Sequence, residues 1–147
     1  MGDNTAGESR IVEQTLASTL ESVDEAEQLA LDMARAAGFD EDDLHRIGMA
    51  VRECMVNAVV HGNQYNANKK VHFSVSVSPD KYSIRIADEG PGFDLSQLPD
   101  PLADENLLRN SGRGIFLVRA FMDEFRVRRL DPHGTEVILV KKVAATA

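Results

Sequence analysis

Glu53, Asn57 and His61 recur at intervals of four along RIGMAVRECMVNAVVHG, residues 46–62, a stretch that is otherwise largely apolar. Residues four apart share a helix face, so the spacing predicts a stripe of carboxylate, amide and imidazole. Met49, Val56 and Val60 fall beside Glu53 on the wheel, while Leu44, Ile47, Val51, Met55 and Ala58 form an opposite, core-facing stripe. A carboxylate and an amide among apolar neighbours cost free energy unless something pairs with them. The stripe is therefore a candidate site for a polar ligand.

Two glycine-bearing segments add further chemistry. Asp88-Glu89-Gly90-Pro91-Gly92-Phe93 falls where a strand should end, and its glycines let the backbone approach a ligand closely or form a tight turn. Gly112-Arg113-Gly114 precedes a short helix, where exposed amides can hold an anion. This second segment lacks the Gly-Lys-Ser/Thr of a phosphate-binding P-loop. It also does not follow a strand, as a dinucleotide fingerprint would.

The elements that position these residues can be read from capping and periodicity. A strand is expected within residues 10–20. Ser22-Val23-Asp24-Glu25 reads as a capping box with Ser22 as N-cap, opening a helix that Gly38 closes. Asp40 caps a second helix, with acids at 41–43 favourable to its positive end, and this helix carries the stripe to Gly62. Val71, Phe73, Val75 and Val77, then Tyr82, Ile84 and Ile86, alternate with polar residues on either side of Pro79-Asp80-Lys81 and predict a hairpin. Residues 88–113 form a long loop, of the kind that is usually functional or mobile. A helix from Gly114 and two strands at 124–130 and 135–143 complete the chain, the strands joined by Pro132-His133-Gly134. The order implies an α+β, two-layer sandwich: a mixed, mostly antiparallel sheet with helices on one face. Residues 1–9 are expected to be a flexible arm and 10–143 a single domain.

Bulk properties narrow the function. A net charge of −8 over 147 residues argues against nucleic acid, whose binding rests on Lys and Arg neutralising phosphates. No apolar run approaches the roughly 20 residues of a membrane span, and the acidic start MGDNTAGESR does not read as a signal peptide. The one cysteine, Cys54, lies inside the apolar helix and reads as a packing thiol. His45, His72 and His133 read as surface or structural residues. A cytoplasmic protein that binds neither nucleic acid nor membrane is expected.

Taken together, Glu53-x3-Asn57-Ala58-x2-His61-Gly62, Asp88-x-Gly90-x-Gly92-Phe93, Gly112-x-Gly114 and Gly134-Thr135 resemble, in order and approximate spacing, the GHKL ATPases, which include gyrase-type topoisomerases and sensor histidine kinases. Ala87-Asp88-Glu89-Gly90 and Phe121-Met122-Asp123-Glu124 resemble in particular the stand-alone anti-sigma-factor serine kinases. The resemblance covers about residues 20–142. It implies that Asn57 ligates the Mg²⁺ that bridges the phosphates of ATP, and that Glu53 is the general base. It implies that Asp88 accepts a hydrogen bond from the adenine amino group, that Gly92, in the box with Gly90, lets the base lie against the backbone, and that Thr135 contacts the base through water. Gly112 and Gly114 would hold phosphates, with Arg113 a candidate phosphate contact. His61 would contact phosphate or simply end its helix. Residues 94–111 correspond to the ATP lid, in which Asn106, Leu107 and Leu108 could form a helical turn.

A gyrase-type ATPase needs a following transducer domain, and a sensor kinase needs a preceding dimerisation domain with a phosphoacceptor histidine. Neither is expected here. By resemblance, the chain would be a protein serine/threonine kinase that phosphorylates a STAS-domain anti-anti-sigma protein and binds a sigma factor, commonly as a homodimer. The alternative is a non-catalytic ATP- or ADP-gated binding module acting on another signalling protein.

Overall fold

A computed structural model describes residues 9–90 and 114–143. The chain begins with β1 (Arg10–Leu16), followed by α1 (Leu20–Ala37) and α2 (Glu41–Val56). A π-helical turn at Asn57–Gly62 follows, then β2 (Val71–Val77) and β3 (Lys81–Ala87). The last elements are α3 (Gly114–Phe121), β4 (Glu124–Arg129) and β5 (Thr135–Lys142). This is the order that the sequence implies. The expected lid, residues 94–111, and the expected arm, residues 1–9 (of which only Ser9 is described), lie outside the described residues.

The five strands form one sheet in the order β1-β2-β3-β5-β4. Every neighbouring pair is antiparallel, so the expected mixed sheet is corrected to an antiparallel one. The strand at the point of crossover, β5, enters between β3 and β4 and runs against both. On β2 and β3, Val71, Phe73, Val75, Tyr82, Ile84 and Ile86 are buried and alternate with more exposed residues. They form one core with Val23, Ala30 and Met33 of α1, Ile47, Val51 and Met55 of α2, and Val118 of α3. The helices therefore share one face of the sheet. Tyr82 ties the layers together: its hydroxyl donates to the Ala30 carbonyl at 2.6 Å, and its ring meets Phe39 edge-on at 5.3 Å.

Local capping explains most boundaries. Gly38 ends α1 with φ 96°, and its N–H satisfies the Ala34 and Arg35 carbonyls, a left-handed stop that glycine adopts without a Cβ penalty. Asp40 caps α2 by accepting from the Asp43 N–H at 2.9 Å. The expected Ser22 cap is incorrect. Thr19 is the N-cap, accepting from the Ser22 N–H at 3.3 Å, and Ser22 lies buried within α1. The chain turns immediately after Leu16, which brings Thr19 rather than Ser22 to the mouth of the helix.

A further correction concerns the stripe-bearing helix, which does not run as a regular α-helix to Gly62. At Asn57 the bonding widens by one residue, so that Asn63 N–H reaches the Ala58 carbonyl at 2.8 Å. Such single π-turns are associated with functional sites.

Candidate functional site

Two structural units meet at the site: the junction of α2 with the π-turn, and the end of β3. On the first, Leu44, Ile47, Val51, Met55 and Ala58 are buried as expected, and Val56 and Val60 pack partly against the core. Met49 is 41% exposed and does not enclose Glu53. Cys54 is fully buried, and burial pushes its thiol pKa up to about 12, which removes it as a nucleophile at neutral pH.

Glu53 and Asn57 are half-buried neighbours one turn apart. Burial raises the Glu53 carboxyl above its ordinary value, an effect reduced by the Asn57 side chain and by the nearby His61. An ionised carboxylate only accepts, so an Asn57 amide that stabilises it would present its NH₂ and leave its carbonyl oxygen for another partner. The raised Glu53 carboxyl is shifted in the direction that a general base would need. His61 is exposed.

The second unit is built around Asp88, which is only 7% exposed. Pairing of Ala87 with Glu136 aligns the end of β3 with the start of β5. Asp88 N–H consequently donates to the Thr135 carbonyl at 2.9 Å. The Asp88 Oδ1 accepts from Gly90 N–H at 3.0 Å and from Thr135 N–H at 3.2 Å. Burial raises this carboxyl too, while the two amides and Lys69 pull it back down. With Oδ1 engaged by the backbone, Oδ2 is the oxygen available to a ligand.

Gly62 joins the units. A Cβ on Gly62 would collide with the Asp88 carboxylate, and a Cβ on Gly90 would collide with the Gly62 carbonyl. The π-turn and the Asp88 loop therefore approach more closely than any side chain would permit. Gly134 (φ 113°) packs in the same way, where a Cβ would sit 2.5 Å from the Asp88 carbonyl oxygen.

A family model of the histidine kinase-like ATPase domain matches residues 16–141. The chain belongs to this family. It is 28% identical over 118 residues to the serine-protein kinase RsbW of Oceanobacillus iheyensis, covering 76% of this chain and 73% of that protein. It is 33% identical over 104 residues to an anti-sigma F factor of Clostridium perfringens, covering 69% and 74%. For the anti-sigma F factor of Bacillus subtilis the identity is 32% over 105 residues, covering 70% and 72%. The fold is similar to that of a solved structure of the RsbU and RsbW domains of a Mycobacterium tuberculosis protein. That match has a TM-score of 0.60 at 17% identity, and covers 92% of this chain and 33% of the solved one.

In this ATPase domain the described residues bring Asp88, Gly90 and Thr135 together against Gly62, the end of the π-turn that begins at Asn57 one turn after Glu53. Gly92, Gly112 and Arg113 lie outside the described residues, and Gly114 is placed as the first residue of α3. Among the described residues no group of three His, Cys, Asp or Glu is arranged to hold a metal.

Two residues escaped sequence reasoning. Asn63 is 1% exposed and accepts the Glu89 N–H at 2.8 Å. His72 contacts the Glu89 carboxylate at 2.6 Å, so it has a partner 17 residues away. No local pattern marks either contact, because each forms only when β2 and the Asp88 loop are assembled.

Proposed function

We propose that the chain is an ATP-dependent protein serine/threonine kinase that regulates a sigma factor by partner switching. In this reading it binds Mg-ATP, holds a sigma factor, and transfers the γ-phosphate to a Ser or Thr of a STAS-domain antagonist. The observation that carries it is the placement of half-buried Glu53 and Asn57 one turn apart where α2 passes into the π-turn, which sets an amide for a cation beside a carboxylate suited to act as a base. Relatives at about 30% identity named serine-protein kinase and anti-sigma F factor support the same reading.

Each residue then has a distinct task. Asp88 Oδ2 accepts the adenine amino hydrogen, while Thr135 and the Gly62–Gly90 contact shape the wall of the base pocket. Asn57 holds Mg²⁺ through its carbonyl oxygen. When bound, Mg²⁺ neutralises phosphate charge as it develops. Glu53 accepts the proton of the incoming hydroxyl, and its raised affinity for a proton suits that task. Gly112, Arg113 and the amide end of α3 serve the phosphates, and His61 is accessory.

The test is transfer of labelled γ-phosphate from ATP, in Mg²⁺, to a STAS-domain partner. Transfer to a Ser or Thr that disappears with Glu53→Ala, while nucleotide binding persists, is the expected result. Intact ATP binding with no transfer to any STAS protein of the host would leave a nucleotide-gated binding module instead.

A further inference from the structure

Asn63 follows the π-turn and is among the most deeply buried polar residues described. Its Nδ2 donates to Ser18 Oγ at 2.9 Å and to the Lys70 carbonyl at 3.0 Å, and its Oδ1 accepts the Glu89 N–H at 2.8 Å. Ser18, itself 3% exposed, donates to the Lys69 carbonyl at 2.5 Å. One amide therefore fastens three segments: the β1–α1 junction, the loop before β2, and the loop after β3.

The last of these carries the nucleotide-facing carboxylate. Glu89 lies between Asp88 and Gly90, and its side chain has a second grip: Oε1 accepts from Lys70 N–H at 3.2 Å and Oε2 contacts His72 Nε2 at 2.6 Å. On the other side of Asn63, Gln64 and Tyr65 both have positive φ, 53° and 59°. Two such residues in succession are strained. They are held by Tyr65 N–H on the Val59 carbonyl and Asn66 N–H on the Asn63 carbonyl, both at 3.0 Å. A fully paired buried amide is tolerated, but removing one partner leaves the others unsatisfied.

We propose that Asn63 is a positioning residue for base recognition. It fixes the Glu89 backbone, and through Gly90 N–H it fixes which way the Asp88 carboxylate faces. This inference rests on the reading of Asp88 as acceptor for the adenine amino group. At that position guanine presents a carbonyl, which a fixed carboxylate oxygen repels. A carboxylate free to turn aside loses both the adenine hydrogen bond and the repulsion of guanine. Selectivity for the base thus depends on an amide that never touches the nucleotide.

The experiment compares ADP and GDP binding by titration calorimetry in Mg²⁺ for the full chain and for Asn63→Ala, Asn63→Asp and Ser18→Ala. The parent is expected to prefer ADP. Asn63→Ala should lower ADP affinity about tenfold, the size expected for losing one well-placed polar contact, while GDP affinity holds or rises as the repulsion is relieved. Asn63→Asp keeps the acceptor for Glu89 N–H, so it should retain most of the preference despite melting at a lower temperature. A purely structural role would lower the melting temperature and the competent fraction without changing the ratio of the two dissociation constants.

A folded Asn63→Ala with the parental ratio overturns the proposal. If that variant does not fold, Ser18→Ala decides: it loosens Asn63 from one side, so an unchanged ratio overturns the proposal equally. A parent that binds ADP no better than GDP overturns the assignment of Asp88, and this inference with it.

Discussion

The Asn57 side chain lies beside Glu53, one turn earlier, and favours its ionised form at the point where α2 widens into a π-turn. This placement ties the candidate metal ligand to the candidate base. Replacing either residue should therefore alter the other, and the two substitutions should have different signatures.

Glu53→Gln should reduce phosphate transfer by about 10²–10⁴-fold, the usual contribution of a general base, with ADP affinity retained. It should also change stability. Burial raises the folded-state pKa of Glu53, so the folded protein favours the protonated form. The associated stabilisation is fully present below the unfolded value of about 4.3 and is lost as pH rises through the raised folded value. Glu53→Gln should thus melt above the parent at pH 7, with the difference vanishing below about pH 4. Thermal scans at both pH values check this.

Asn57→Ala should make nucleotide affinity insensitive to Mg²⁺, with the loss confined to Mg²⁺-containing buffer. Asn57→Asp would place a second carboxylate beside Glu53 and raise the proton affinity of the pair further. Its transfer activity should therefore show an alkaline-shifted pH profile relative to the parent. Titrations with and without the cation, and rates across pH, separate the two variants.

Gly90→Ala should abolish ADP binding, because its Cβ would collide with the Gly62 backbone, which has no side-chain rotamer to yield. Gly38→Ala is the control: a Cβ there meets nothing within 4 Å, although φ 96° strains it. It should lower stability by about 1 kcal/mol and leave ADP affinity unchanged. Calorimetry together with melting temperature distinguishes the two effects.

Tyr82→Phe removes the buried hydrogen bond to the Ala30 carbonyl. The expected loss is about 1 kcal/mol, or roughly 2–4 °C in melting temperature for a chain of this size. Kinase activity at 25 °C should be unaffected. Cys54, in the same core, should resist Ellman's reagent until the protein unfolds, since its thiol is buried and its pKa lies at about 12.

How much of this was legible depends on the range of the interactions. Gly38 and Asp40 could be read because their hydrogen bonds close within a few residues. The alternation in Val71–Val77 and Lys81–Ala87 was equally local, and the hairpin followed from it. The cap at Thr19 was missed because the abrupt turn after Leu16 depends on the pairing of β1 with β2. The π-turn was invisible because residues 53, 57 and 61 fit a regular period equally well. Asn63 could not be read at all: its partners lie 45, 7 and 26 positions away, and only the folded sheet gathers them. Asp88 and its glycines were named by resemblance alone, and the hold of Gly90 and Thr135 on Asp88 Oδ1 required β5 in place.

The strand order has a consequence for the chain as it is synthesised. Strand β3 sits between β2, its immediate predecessor, and β5, which begins at Thr135. A nascent chain can therefore assemble β1, β2, β3, α1 and α2 once residue 87 has emerged from the ribosome. Asp88, however, has no partner at position 135 until nearly fifty more residues have followed. The helix that carries Glu53 and Asn57 is thus ready well before the carboxylate that would select the base. On the proposed reading of Asp88, base recognition would be the last part of the site to form during synthesis.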